Sequence, residues 1–169
     1  MKLLIAADSH DRWDLLLKAV AHGNEEGCTA LLFAGDFISP PGVEAALAHF
    51  RGAVHMVLGN CDGEQIGLAR AVAALPDATL YYEAGVSVME KELGGWRVHM
   101  NHYPEVARLA AAQGESQLVV YGHTHEYHEE RMENGTLLLN PGEVCGHRTG
   151  AATCVVVDTA RGSVTQVAL

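Results

Sequence analysis

The chain holds 169 residues, 49% hydrophobic and 19% charged, a balance that suits one folded core and excludes intrinsic disorder. With 21 acidic against 11 basic residues and a formal net charge of −10, it lacks the basic face that grips nucleic acid by counterion release, so strong nucleic-acid binding is not expected. No apolar run approaches the roughly 18 residues of a membrane span, and Met1 to Ala7 reaches Asp8 after too few apolar residues for a signal peptide.

The four cysteines, Cys28, Cys61, Cys145 and Cys154, form no C-x-x-C pair. Reduced thiols in a cytoplasmic protein, with no membrane partner, are therefore expected.

Leu3 to Ala7 reads as a buried strand. A helix follows in which Trp13, Leu16, Leu17 and Val20 fall at i, i+3, i+4 and i+7, closing near Gly23. Ala30 to Ala34 is a second buried strand. Val43, Ala46, Leu47 and Phe50 repeat the helical stripe, and Val54 to Leu58 gives a third strand before a helix around Ile66 to Leu75. Three successive βα units imply parallel strands. Past Pro76 the pattern changes to hairpins, with strands at Thr79 to Tyr82, Val86 to Leu93 and Trp96 to Met100. Pro104 opens a helix carrying Val106, Leu109 and Ala110. Tyr127 to Met132 and Thr136 to Leu139 flank an Asn134-Gly135 turn, and a last hairpin joins Ala152 to Val157 with Val164 to Val167. A parallel half and an antiparallel half suggest two sheets packed face to face with helices outside.

Leu118 to Tyr121 is an apolar run that stops at Gly122 and delivers His123 and His125 at i, i+2. Both imidazoles reach one site if the strand continues, and a tight loop aims them at neighbouring points. Imidazole is the commonest metal ligand among side chains that titrate near neutrality. Other strands end alike, in Asp8-Ser9-His10, Gly35-Asp36, Gly59-Asn60-Cys61-Asp62 and Asn101-His102. One Asp or Asn after a buried strand is ordinarily a helix cap, but capping does not explain the recurrence. Sites in open α/β sheets form beyond the carboxyl ends of strands. There the chain would gather three oxygen donors, Asp8, Asp36 and Asn60, and four histidines, His10, His102, His123 and His125. Such a set can hold two cations that share one carboxylate.

In order and spacing these residues resemble the calcineurin-like metallophosphoesterase superfamily, most closely its compact bacterial and archaeal phosphodiesterase branch. The family's D-x-H, G-D, G-N, lone-His and G-H-x-H pattern is met by Asp8/His10, Gly35/Asp36, Gly59/Asn60, His102 and Gly122/His123/Thr124/His125, and the resemblance spans residues 8 to 148. It implies an α/β protein with a four-layer αββα sandwich of two mixed sheets, here as one domain over residues 1–169. It also implies two divalent cations, Mn²⁺ foremost, with Fe, Zn²⁺, Ni²⁺ or Mg²⁺ as alternatives. Asp8, His10, Asp36 and His125 would bind the first; Asp36, Asn60, His102 and His123 would bind the second and form the catalytic set, with Asp36 as the bridge. Several positions depart from the pattern: Cys61 where many relatives place a histidine, Asp11 in place of glycine, Tyr103-Pro104 after the lone histidine, and Glu143 instead of serine after Asn140-Pro141-Gly142. Cys61 and Arg148 are candidate substrate contacts.

The activity so implied is hydrolysis of a small phosphoester, diesters before monoesters, by a metal-bridging hydroxide. Two cations bring +4 and two carboxylates return −2, which leaves a centre that attracts phosphate despite the acidic surface. Two alternatives stand beside it: a non-catalytic scaffold like the retromer subunit of this fold, and a nuclease on short single-stranded substrates. A homodimer is compatible with the sequence.

Overall fold

The computed structural model describes residues 1–169. In chain order the elements are β1 (Lys2–Ala6), α1 (Trp13–Glu25), β2 (Ala30–Ala34), α2 (Pro41–Ala45), β3 (Ala53–Val57), α3 (Gln65–Ala73), β4 (Ala78–Tyr81), β5 (Met89–Leu93), β6 (Trp96–Met100), α4 (Pro104–Gln113), β7 (Leu118–Val120), β8 (Tyr127–Arg131), β9 (Leu137–Pro141), β10 (Thr153–Asp158) and β11 (Ser163–Ala168). A six-stranded sheet runs β11-β10-β1-β2-β3-β4, and a five-stranded sheet runs β5-β6-β7-β9-β8. No helix is long and apolar enough to cross a membrane.

Strand periodicity explains the layering. On the first sheet Leu4, Ala6, Leu31 and Phe33 pack with the apolar faces of α1 and α3. The intervening Leu3, Ile5 and Leu32 face Val98, Val120 and Leu139 of the second sheet. A thin third layer packs Ala107 and Ala111 of α4 on Val119 and Leu138. The result is four layers, helix, sheet, sheet, helix, held by an inter-sheet core and a helix-facing core on each outer side.

The expected division into a parallel half and an antiparallel half is corrected, because both sheets are mixed. Residues 79–81 lie in β4, which extends the first sheet parallel to β3. The chain then reverses at Ala84 and Gly85, both at positive φ, so the strand expected from Val86 begins only at Met89. β1 is buried along most of its length and needs a partner on each edge; β2 pairs on one side in parallel and β10 on the other antiparallel. The centre of the second sheet, β6-β7-β9, is parallel, with α4 linking β6 to β7.

Two helix faces and one helix length also differ from expectation. α1 buries Leu15, Leu16, Ala19, Val20 and Gly23, leaving Leu17 outside. α4 buries Ala107 and Ala111 while Val106 and Leu109 remain 41% and 69% exposed, since only small residues fit its close approach to β7. The stripe from Val43 to Phe50 is not one helix: α2 stops at Ala45, and a 3₁₀ turn carries Leu47–His49. The Gly94-Gly95 and Asn134-Gly135 turns stand where expected, with positive φ at each glycine.

Candidate metal centre

All seven donor residues named from the sequence lie just past the carboxyl ends of β1, β2, β3, β6 and β7. The loops are stapled to one another by backbone hydrogen bonds: Asp8 N to Gly35 O at 3.0 Å, His10 N to Asp36 O at 3.2 Å, and Gly122 N to His102 O at 3.1 Å. Asp8, His10, Asp36, His123 and His125 all have positive φ, between 42° and 69°. Such backbone is costly for non-glycine residues and clusters where function holds it in place. β7 ends at Val120, so His123 and His125 converge through a left-handed loop rather than a continued strand. Glycine is required beside them for clearance, because a Cβ on Gly122 would stand 2.8 Å from Asp8 Oδ2 and one on Gly59 would overlap Asp36 Oδ1.

His102 and His125 turn lone pairs rather than protons toward the centre. His102 is fully buried, and its Nδ1 donates to Ala34 O at 2.7 Å. That fixes the tautomer and leaves an unprotonated Nε2 3.1 Å from Asn60 Oδ1 and 3.6 Å from Asp36 Oδ1. His125 Nδ1 is held by Glu143 Oε2 at 2.6 Å, which turns its Nε2 lone pair toward Asp8 Oδ1 at 3.5 Å. His10 Nε2 lies 3.5 Å from Asp36 Oδ2. Asp8 Oδ1 and His10 Nε2 are buried without any hydrogen-bond partner, although buried polar atoms are otherwise nearly always satisfied. A ring of acceptors with orphaned atoms at its centre fits divalent cations, and Asp8, His10, Asp36 and His125 place their donor atoms within 4.8 Å of one another. Mixed imidazole, carboxylate and amide donors suit Mn²⁺, Fe, Zn²⁺ or Ni²⁺ better than a thiolate-selected ion.

Titration follows the same geometry. Burial, with the Asp36 charge added, pushes the Asp8 carboxyl up to about 8. Burial lowers His10 and His102 below the usual imidazole range, against the pull of Asp36. Without a cation the cluster sheds charge, and a cation restores the ionised carboxylate.

Asp36 is the geometric hinge of the set, with Oδ2 toward His10 and Oδ1 toward His102. Its position is maintained by a residue that sequence reasoning passed over. Asp62, two residues beyond Asn60, is buried and accepts backbone N–H groups from Asp36, Phe37, Ile38 and Gly59 at 2.7 to 2.9 Å. The second such residue is Glu143. It is fully buried and accepts from the Cys145 thiol at 2.9 Å and from the Thr149 hydroxyl at 2.8 Å as well as from His125. Burial alone would raise its carboxyl, but the hydrogen bonds from Cys145, His125 and Thr149 prevail and hold it down to about 2. Residues 144 and 145 hydrogen-bond to Ala7 O and Asp8 O, which is how Glu143 comes to stand behind the site. The sequence signal was Glu143 itself, standing in place of serine after Asn140-Pro141-Gly142, which marks the position without revealing its partner. A third support is Asp11, at φ 60° where the family pattern has glycine. Its carboxylate accepts from Ser39 N, Ser39 Oγ and Trp13 Nε1, tying the loops after β1 and β2 together and offsetting the left-handed backbone.

Of the two substrate-contact candidates, Cys61 lies on the rim, exposed, with its backbone N–H on Asp36 Oδ1 at 2.8 Å. Partial loss of hydration at its sulfur, with the Asp36 carboxylate beside it, pushes the thiol up to about 11 in the absence of a cation. Arg148 is exposed and is tethered through its backbone N–H to Glu143; its guanidinium is not brought into the donor cluster. His99 is a strand histidine bonded to Asn101. His128 is occupied by the Tyr121 hydroxyl at 3.0 Å and stands outside the cluster.

Comparison with known proteins bears on the family and the fold. A family model described as the calcineurin-like phosphoesterase superfamily domain matches residues 1–162. A phosphodiesterase from Methanocaldococcus jannaschii is 29% identical over 169 residues, covering 100% of this chain and 99% of that one. A solved archaeal phosphodiesterase superposes with a TM-score of 0.86 at 26% identity over 100% of both chains. The fold alone is shared with zinc-bound Vps29 of Entamoeba histolytica, at a TM-score of 0.65 and 15% identity over 100% of this chain and 98% of that one. With the motif set in family order and the family model running nearly end to end, the chain belongs to the calcineurin-like phosphoesterase superfamily and is a hydrolase of phosphoesters.

Proposed function

We propose that this chain is a dinuclear metal-dependent phosphodiesterase acting on a small phosphodiester. The observation that carries this reading is the ring of seven donors with Asp8 Oδ1 and His10 Nε2 orphaned inside it and Asp36 presenting one oxygen to each side. Asp8, His10, Asp36 and His125 would hold one cation, and Asp36, Asn60, His102 and His123 the other. When bound, such a pair supplies an acidified water and positive charge for the phosphoryl oxygens.

The chain's own residues set the rest. Glu143 and Ala34 O keep His125 and His102 in the tautomers that present Nε2. Asn60 and His123 form the more open side of the set, where a substrate would approach. A diester carries one negative charge and a monoester nearly two at neutral pH. With Cys61 standing where a histidine is common, the chain offers no additional cationic donor beside Asn60, and this favours the diester. Manganese is the cation we favour. Free thiols and the acidic surface suit a cytoplasmic enzyme without nucleic-acid or membrane partners, and a homodimer is compatible with this reading. A scaffold would not need all seven donors, and all seven are kept.

The test is a panel of Mn²⁺, Fe²⁺, Zn²⁺, Ni²⁺ and Mg²⁺ with aryl phosphodiester and monoester substrates. Turnover with at least one metal, faster on the diester, is the expected result. No turnover with any metal on either substrate would remove the enzymatic reading.

A further inference from the structure

Beside the donor ring lies a groove of about 310 Å³ bounded by the start of α3, the turn at residues 83–86 and the start of α4, within the size range of small-ligand pockets. No charged residue lines it, although the chain as a whole carries a formal charge of −10. Val86, Val88, Val106 and Leu58 supply apolar walls, and Tyr82 and Tyr103 two aromatic ones. Val86 is 60% exposed, Tyr82 46% and Tyr103 41%, so aromatic and branched surface stands open to solvent.

The polar side chains on its floor are already engaged. Ser87 Oγ accepts from Leu58 N at 2.7 Å and donates to Tyr81 O at 2.6 Å. Asn101 is bonded to His99 and accepts from Tyr103 N at 2.8 Å. What the groove offers a ligand is therefore flat apolar surface, together with the amide of Gln65 at one edge.

The groove is continuous with the metal centre through two residues. The Tyr103 ring stands edge-on to His102 with centroids 5.2 Å apart and 5.4 Å from the His123 ring, so one tyrosine walls both spaces. Gly59, which packs on Asp36 and His102, lines the groove as well.

We propose that this groove is the subsite for one ester arm of the substrate, and that the arm it takes is a planar aromatic or heteroaromatic group. The inference rests on the phosphoesterase reading of the neighbouring donors. A phosphate seated there carries its arms outward, and an arm passing Tyr103 enters a channel whose walls pair two aromatic rings with valine side chains. Planar groups stack on such surfaces, while small alkyl arms leave most of the area wet. The amide of Gln65 suits a ring with a polar edge.

The test uses non-hydrolysable single-arm probes, phenylphosphonate and methylphosphonate, titrated calorimetrically into the manganese-loaded protein. Phenylphosphonate should bind about 10- to 100-fold tighter, the scale of stacking one planar group on an aromatic side chain. In Val86→Asp and Val106→Asp, neither of which touches the donor ring, that ratio should fall toward one with methylphosphonate affinity unchanged. Equal affinities in the wild type, or a preference that both variants retain, would overturn the subsite while leaving the phosphoesterase reading intact. Failure of both phosphonates to bind, or to compete with turnover, would instead overturn the reading of the centre itself and the subsite with it.

Discussion

Asp8 and His125 are buried, and behind His125 stands a carboxylate that itself collects thiol, hydroxyl and backbone donors. Asn60, across the same centre, is exposed on a loop and His123 half-exposed; their side chains meet each other at 2.7 Å, and the remaining side-chain contacts are with Cys61 Sγ and with the His102 and Tyr103 rings, none of them a buried carboxylate. His102 alone on that side is buried and anchored. One half of the donor ring is thus preorganised by the fold and the other stays adjustable. This difference suits one cation kept in place and a second that exchanges and meets the substrate. Asp36 belongs to both halves, so it is the residue at which the contrast can be broken.

The largest effect is expected there. Asp36→Asn removes a negative charge from both sides at once and should strip both cations and lower kcat/KM by at least about 10³-fold, beyond the loss of a single transition-state donor. His10→Ala should reduce occupancy chiefly on the buried side. Elemental analysis of the purified variants separates the two, and an Asp36→Asn protein retaining two metals and full activity would refute the shared role.

The exposed half is probed through Cys61. Cys61 stands where many relatives place a histidine, and a thiol is a poorer proton donor to a leaving alcohol than an imidazolium, while general-acid assistance is typically about 10²- to 10⁴-fold. Aryl diesters should therefore outpace alkyl diesters steeply, and Cys61→His should narrow that gap by about 10²-fold. kcat/KM across leaving groups of graded acidity measures it; equal slopes in both proteins would mean that position 61 does not face the leaving group.

The buried half is probed through Glu143. Glu143→Gln leaves an acceptor for His125 but replaces one oxygen of the clasp with an N–H₂ group facing existing donors. Carboxylates behind a ligating histidine typically account for 10- to 100-fold in metal affinity. One of two binding steps should weaken by about that factor in a chelator-competition titration while circular dichroism stays native. Equal weakening of both steps would argue that the halves are not distinct.

What the sequence made legible was local. Short apolar runs ending in Asp, Asn or His marked the strand ends, and their recurrence brought seven side chains to one place. Supports contributed from a distance stayed hidden. Asp62 looks like one more loop residue until the backbone of residues 36–38 folds over it, and Glu143 becomes a partner of His125 only once residues 144–145 pair with the end of β1. Sheet membership was hidden for the same reason. Thr79 to Tyr81 carries no mark of which neighbour it will join, and α4 presents its alanines because close packing on β7 outweighs the larger apolar area of Val106 and Leu109.

The smallest predicted effect concerns the metal-free protein and isolates Asp8. Its folded carboxyl is raised to about 8 from an ordinary value of 3.8, so the stability it allows is fully present below the ordinary value and is lost as pH rises through the folded one. His10 and His102 are shifted the other way, downward from 6.5, so their penalty falls below that pH and they are neutral in both states above it. Glu143, held down to about 2 from 4.5, contributes stability above its ordinary value and loses it only in acid. Between pH 7 and 8, then, Asp8 is the group among these that still changes. Chelator-stripped wild type should lose about 1 kcal/mol of unfolding free energy across that unit, and Asp8→Asn, which has no proton to lose, should not. Denaturant titrations at the two pH values give the double difference. A wild type and variant with the same slope would mean that Asp8 is already ionised without its cation, and the preorganised half of the site would then be less strained than its geometry implies.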